Sequence, residues 1–240
     1  MNIKSKEEIN KIRIACQLIS KVHRQVRKLN FVGKSELELK NNIMDLIKAM
    51  SIDELAFPII VGSGIRSLIL HAEPTEKNIC ASDLVLIDMG LKFEGYCSDM
   101  TRTWPASGIF SNEQKIIYDI VKNAQQDILN SISKDQSLVS LHEIAKNSLC
   151  HGLDSTELKG RYDIQKIYPH KTSHWIGLDV HDGNVYIDEK NQPILLQSGM
   201  CFTVEPGLYI QNTDTKFDGI GIRMEDVVVV TENGFEMLTI

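Results

Sequence analysis

Apolar side chains at Ile9, Ile12, Cys16, Ile19, Val22 and Val26 recur at helical spacing, and Ser5 and Glu8 stand in front of them. A serine that caps the third backbone N–H, answered by a glutamate reaching back to the serine N–H, marks a helix start. The segment therefore predicts a long amphipathic helix. Ser35 and Glu38 open a second, shorter one. The arrangement returns at Ser111 and Gln114, ahead of Ile117, Ile120, Val121, Ala124 and Ile128, and at Ser140 and Glu143, ahead of Ile144 and Leu149. The offset from Ser5 to Ser111 nearly equals that from Ser35 to Ser140. Apolar runs follow each helix pair, at 57–61, 84–88 and 94–104 in the first half and at 200–204 and 222–231 in the second. Rich in β-branched and aromatic residues, such runs predict strands.

The chain thus reads as helix, helix, sheet, written twice. Layer packing turns that pattern into an α+β fold of two pseudo-symmetric halves, whose strands form one curved, mostly antiparallel sheet with the helices outside and a site between the halves. No Pro- or Gly-rich tract divides them, so residues 1–240 are expected to form a single domain. Helix pairs with similar caps are common, and the repeat by itself carries no function.

Composition narrows the partners. Hydrophobic residues fill 42% of the 240 positions, enough for a core, and the formal charge is −6 with Lys and Arg scattered. A nucleic acid or an anionic membrane calls for a basic stripe, so neither is expected. No apolar run approaches the roughly 20 residues of a membrane-spanning helix. The opening MNIKSKEEINK lacks the apolar stretch of a secretory signal, which points to the cytoplasm. The cysteines, Cys16, Cys80, Cys97, Cys150 and Cys201, form no CxxC pair, so reduced and mostly buried thiols are expected. Cys97 and Cys201 stand near acidic segments, but neither lies in a cysteine-protease context.

Those acidic segments carry the chemistry. Asp88 ends the apolar run Leu84-Val85-Leu86-Ile87, and Asp99 follows a reversal near 92–95, so the two can sit on neighbouring strands. Glu205 lies in Phe202-Thr203-Val204-Glu205-Pro206-Gly207 and Glu225 in Gly221-Ile222-Arg223-Met224-Glu225-Asp226. Acids are depleted from strands and seldom buried unpaired. Close buried carboxylates repel and lose hydration unless a metal or an arginine neutralises them, so one metal cluster accounts for all four. The competing reading turns each acid outward on a half-exposed strand, which is the expectation for Asp226. Four of the seven histidines are His71, His170, His174 and His181, the last three crowded into 169–182. An oxygen-rich set with one imidazole suits two divalent ions, manganese first, with zinc, cobalt or iron admitted. His23, His142 and His151 read as structural.

Together these residues resemble the catalytic domain of the pita-bread metallopeptidases, family M24. The likeness runs in order through IVGSGIRSLILHAEPTE, DLVLIDMGLKFEGYCSDMTRTWP, HKTSHWIGLDVHD, GMCFTVEPGLYI and GIGIRMEDVVVVTENGFEMLT. It implies the pita-bread fold and five metal ligands, Asp88, Asp99, His174, Glu205 and Glu225. Asp99 and Glu225 would bridge two ions, Asp88 would chelate one, and His174 and Glu205 would complete separate spheres. The resemblance also implies Glu205 as the proton-transfer group; His71 and His181 are expected to donate to the developing oxyanion or to the carbonyl flanking the bond, His170 to line the pocket, and Arg223 to orient Glu225 or the substrate.

The spacing of His170, His174 and His181 and the run Gly-Ile-Arg-Met-Glu-Asp are similar to the Xaa-Pro aminopeptidase and prolidase branch. The implied reaction is removal of the N-terminal residue from peptides with proline second. A methionine aminopeptidase, an Xaa-Pro dipeptidase and a non-catalytic peptide- or protein-binding module are the alternatives. The chain departs from that branch in the expected lack of a separate N-terminal domain, in Ala72, where an aromatic often follows the histidine, and in its end at Ile240. A peptide substrate is the expected partner, with a homodimer left open.

Overall fold

The computed structural model describes residues 3–52, 54–183 and 185–239. Ser5 accepts from the Glu8 N–H and the Glu8 carboxylate accepts from the Ser5 N–H. Helix α1, Lys6–Val26, runs from this cap and buries Ile12, Cys16, Ile19, Val22 and Val26 along one stripe. The same reciprocal cap at Ser35 and Glu38 starts α2, Glu36–Ala49, and at Ser111 and Gln114 it starts α3, Asn112–Asn130. The fourth cap differs from expectation. Helix α4, Leu138–Asp154, begins at Ser137, and Ser140 is the residue that reaches back. A hydroxyl at the third helical position accepts from the cap N–H as a carboxylate would, while Glu143 lies within the helix and pairs with Lys146. The two offsets between the halves therefore agree less closely than the serine spacing implied. A single turn, α5 (Ile164–Ile167), leads into the histidine segment.

Strands β1 (Ile60–Ser63), β2 (Leu84–Met89) and β5 (Met100–Pro105) form an antiparallel sheet with β2 in the middle. Between β2 and β5 lies the hairpin of β3 (Lys92–Phe93) and β4 (Tyr96–Cys97). In the second half, β6 (Cys201–Val204), β9 (Asp226–Thr231) and β10 (Gly234–Met237) form a like sheet, and β7 (Gly207–Ile210) pairs with β8 (Ile220–Arg223). Three strand expectations shift. The 57–59 stretch stays outside β1, where Pro58 has no N–H to give a ladder. The 94–104 run is broken, because the reversal falls on Glu94 and Gly95, both with positive φ, 47° and 84°. The 222–231 run is interrupted at Met224 and Glu225, where the chain leaves its pairing with β7 and takes up β6.

Strand β5 fastens the halves together. The Arg223 N–H donates to Thr103 Oγ1 at 3.2 Å, Thr103 Oγ1 donates to the Arg223 carbonyl at 3.1 Å, and the Glu225 N–H donates to the Thr101 carbonyl at 3.1 Å. These bonds join the antiparallel sheet of the first half to strands β8 and β9 of the second. One core gathers Ile19, Ile43, Val61 and Ile87 under the first helix pair, and another gathers Val121, Leu141, Phe202 and Ile222 under the second. Ile12, Cys16, Cys97, Cys201 and Val229 pack between them. Among the described residues no helix is long and apolar enough to cross a membrane.

Candidate metal centre and active site

The acids meet where the strands end or break. Asp88 is one residue from the end of β2, paired with Thr101 of β5, and Asp99 lies just before β5. Their close approach depends on Gly90, since a Cβ there would lie 2.1 Å from the Ser98 carbonyl oxygen. Opposite them, the Glu205-Pro206 break between β6 and β7 faces the Met224-Glu225 break between β8 and β9, for Val204 pairs with Asp226 and Gly207 with Arg223. The histidine segment runs beside β6. Thr203 N–H donates to the His174 carbonyl at 3.0 Å and Glu205 N–H to the Thr172 carbonyl at 2.8 Å, which sets His174 and Glu205 side by side.

Ligand atoms of Asp99, His174 and Glu225 lie within 4.8 Å of one another. His174 Nε2 is 3.4 Å from Asp99 Oδ2, 3.6 Å from Glu205 Oε1 and 3.9 Å from Glu225 Oε1. His174 Nδ1 is 3.2 Å from the Trp175 carbonyl, which can only accept, so Nδ1 is the donor there and Nε2 is the nitrogen turned toward the acids. Burial, then Glu225 and Asp88, raises the Asp99 pKa well above the usual carboxylate range, and burial with Glu225 does the same for Glu205. Glu225 is pushed up to about 7 by burial and Asp88. Asp88 Oδ1 and Asp99 Oδ1 are buried with no hydrogen-bond partner. Crowded carboxylates with orphaned oxygens around an imidazole lone pair are a donor set that fits divalent cations.

All five residues open onto a cavity of about 730 Å³, whose walls also include His71, His170, His181, Tyr186, Arg223 and the apolar Phe57, Ile59 and Leu70. Every site residue expected from the sequence lines it. His181 stands edge-on to His174, ring centroids 4.3 Å apart, and its pKa is lowered by burial and by His174. His170 has a defined tautomer. Arg223 Nη1 donates to Tyr209 OH at 2.8 Å, so that hydroxyl gives its own proton to His170 Nε2 at 3.0 Å, and His170 Nδ1 donates to the Lys171 carbonyl at 2.8 Å. Burial, with Arg223 nearby, lowers the His170 pKa to about 3, so the ring is neutral.

Arg223 reaches Asp88 Oδ2 at 2.5 Å and meets Glu225 only through Thr101, whose hydroxyl accepts from Arg223 Nε at 3.2 Å and donates to Glu225 Oε2 at 2.6 Å. Sequence reasoning missed Thr101 and Tyr209. Thr101 lies at the start of β5, two residues after Asp99, and that spacing was the available signal; Tyr209 carried none.

Asp226 overturns its expectation. It is buried, with Arg102 Nη2 at 2.7 Å, Thr239 Oγ1 at 2.6 Å and Gln125 Nε2 at 3.0 Å, because β9 is the central strand of its sheet and both its faces are covered. Cys97 and Cys201 stay out of the cavity wall, and burial pushes their thiols up to about 11 and about 12, which leaves neither as a thiolate. Cys16, Cys97 and Cys201 are buried as expected, whereas Cys80 is exposed. His23 is buried on α1 and away from the cavity, in keeping with a structural role.

The profile of Metallopeptidase family M24 matches residues 10–232. Xaa-Pro aminopeptidase of Escherichia coli (strain K12) is 35% identical over 247 residues, covering 98% of this chain and 56% of that protein. The structure of Pseudomonas aeruginosa aminopeptidase PepP superposes with a TM-score of 0.93 at 33% identity, covering 99% of this chain and 56% of that one. A glutamate-to-alanine variant of Escherichia coli aminopeptidase P in complex with substrate superposes with a TM-score of 0.91 at 34% identity, over 99% of this chain and 56% of that one. The chain thus spans little more than half the length of these relatives. With the profile match running over nearly all of it, the chain belongs to metallopeptidase family M24.

Proposed function

We propose that this chain is the catalytic part of a dinuclear-metal aminopeptidase that removes the N-terminal residue from peptides with proline at the second position. The observation that carries the reading is the enclosure of Asp88, Asp99, His174, Glu205 and Glu225 in one cavity with His71, His170 and His181 on its walls. The likeness to an Xaa-Pro aminopeptidase supports the specificity. Asp88, Asp99, His174, Glu205 and Glu225 would hold the two ions, with manganese favoured by the oxygen-rich set. When bound, the ions supply Lewis-acid polarisation of the scissile carbonyl and lower the pKa of water toward neutrality.

The chain's own groups do the rest. Glu205 is placed to take a proton at its carboxylate and deliver it to the leaving nitrogen, 3.6 Å from His174 on one side and 3.7 Å from His170 Nδ1 on the other. His71 and His181 donate to the carbonyl oxygen as negative charge grows on it. His170, held neutral by Tyr209, shapes the pocket without adding charge. The acidic cluster attracts a free α-amine, which confines cleavage to the first residue. The apolar wall of Phe57, Ile59 and Leu70 suits a proline ring. All five cysteines are free, which suits a reducing compartment such as the cytoplasm.

Turnover of Xaa-Pro peptides beside Met-Ala, with manganese added, tests the reading. Cleavage of the first set is expected, and cleavage of Met-Ala alone would replace it with methionine removal. A protein that holds metal and peptide yet cleaves neither would be a binding module.

A further inference from the structure

His71 makes no hydrogen bond and no ion pair among the described residues. Its place on the cavity wall is therefore set by the backbone of the loop that carries it. That loop leaves β1 at Ser63, makes a 3₁₀ turn over Gly64–Leu68, and returns at Thr75, contributing Leu70, His71, Glu73 and Pro74 to the wall. Its two ends meet at one side chain. Glu36, the first residue of α2, has no exposed surface. Glu36 Oε1 accepts from the Ser63 N–H at 2.9 Å and from Ser63 Oγ at 2.8 Å. Glu36 Oε2 accepts from the Thr75 N–H at 3.1 Å and from Thr75 Oγ1 at 2.9 Å. Arg66 Nε bridges both oxygens, at 3.2 and 2.9 Å, and Arg66 Nη2 goes on to the Glu73 carbonyl at 2.6 Å.

Six hydrogen bonds converge on one buried carboxylate, and every one comes from the loop. A buried acid costs desolvation, so a position that serves only to cap a helix or fill space would not need one. Each oxygen instead takes one end of the loop, which closes its neck as a clasp would. Two further ties fix the interior: Val61 N–H donates to the Ala72 carbonyl at 3.2 Å and Arg223 Nη2 to the Leu70 carbonyl at 3.3 Å, on either side of His71. Glu36 thus holds both ends of the loop, while Arg223 holds its interior beside His71.

We propose that Glu36 is a positioning residue of the active site, which keeps His71 on the cavity wall by closing the neck of the 63–75 loop. The proposal rests on the aminopeptidase reading for the role of His71, and on geometry alone for the clasp. Glu36→Gln keeps the shape but turns an amide NH2 against the Ser63, Arg66 and Thr75 donors. Thr75→Val removes one donor and leaves the acid.

The test is a double-mutant cycle. kcat and KM are measured on an Xaa-Pro peptide with manganese for Glu36→Gln and Thr75→Val, each with and without His71→Ala, together with metal content and deuterium uptake of residues 64–76. Glu36→Gln is expected to lower kcat about tenfold or more with KM and metal content little changed, and to lower nothing further once His71 is alanine. Deuterium uptake at 64–76 rises in the same variant. Equal losses in both backgrounds overturn the proposal, because Glu36 would then act on stability at large. Unchanged uptake overturns it as well. Where Glu36→Gln does not fold, Thr75→Val reads the same cycle. Should the parent protein cleave no Xaa-Pro peptide, the functional reading fails by itself, and uptake at 64–76 alone decides whether Glu36 closes the loop.

Discussion

Arg223 and Asp88 meet at 2.5 Å, Nη2 to Oδ2, with both residues buried. The same guanidinium reaches Tyr209 OH, Thr101 Oγ1 and the Leu70 carbonyl, so one side chain orients a candidate ligand, the His170 tautomer and the His71 loop. A lysine carries the charge but lacks the planar fork. Arg223→Lys is expected to lower kcat/KM about 10- to 100-fold. Arg223→Met should further destabilise the chelator-treated protein by about 3–5 kcal/mol, because Asp88 is left buried and unpaired. Equilibrium unfolding with chelator and with manganese checks this, and an equal loss in both conditions would argue against Arg223 as the counter-charge of Asp88.

Among the described residues Glu205 is the one carboxylate within 4 Å of both His170 and His174. Glu205→Gln preserves the shape and removes the proton acceptor. Hydrolysis of an Xaa-Pro peptide should fall roughly 10²- to 10⁴-fold, with the melting temperature near that of the parent. Turnover at the parental rate would remove Glu205 from the proton path.

His174 is the imidazole that faces Asp99, Glu205 and Glu225 together. Manganese at a hundred times its Kd should stabilise the chain by about 2.7 kcal/mol for each independent site, and chelation should reverse this. His174→Ala should weaken that gain and lower the affinity seen by calorimetric titration. Parental affinity in the variant would exclude His174 as a ligand.

His23 supplies the pH prediction. Burial, with Arg102 nearby, lowers its pKa to about 3; Nε2 donates to the Met100 carbonyl at 2.9 Å and Nδ1 has no partner. The ordinary value is 6.5, so the folded value is depressed and the unfolded chain takes up the proton first. The stability tied to the neutral ring is complete above pH 6.5 and is lost as pH falls from there toward 3, at about 1.4 kcal/mol per pH unit. His23→Gln keeps a donor for Met100 without titrating. Denaturant unfolding between pH 7 and 4.5 should show a shallower decline in the variant, and parallel curves would refute the assignment.

Much of this was legible along the chain because it depends on neighbours in sequence. Serine caps at 5, 35 and 111, the stripe from Ile12 to Val26 and the apolar runs around Asp88, Glu205 and Glu225 are local patterns, and the elements formed where they fell. Ser140 misled because Ser137 sits one turn earlier with an equally good cap, and a hydroxyl can answer a hydroxyl.

By itself, the sequence determined the four long helices and the strands that carry the acids, that acids interrupt apolar strands, and which histidines crowd together. Period and composition act over a few residues and need no partner from elsewhere. Only the tertiary structure decided that Asp226 is buried beside Arg102, that Arg223 pairs with Asp88 and reaches Glu225 through Thr101, and that Glu36 at a helix start closes a loop. Each joins residues far apart in the chain, and which face of a strand is covered, or which donors surround an acid, is set by what the other half of the fold lays against it.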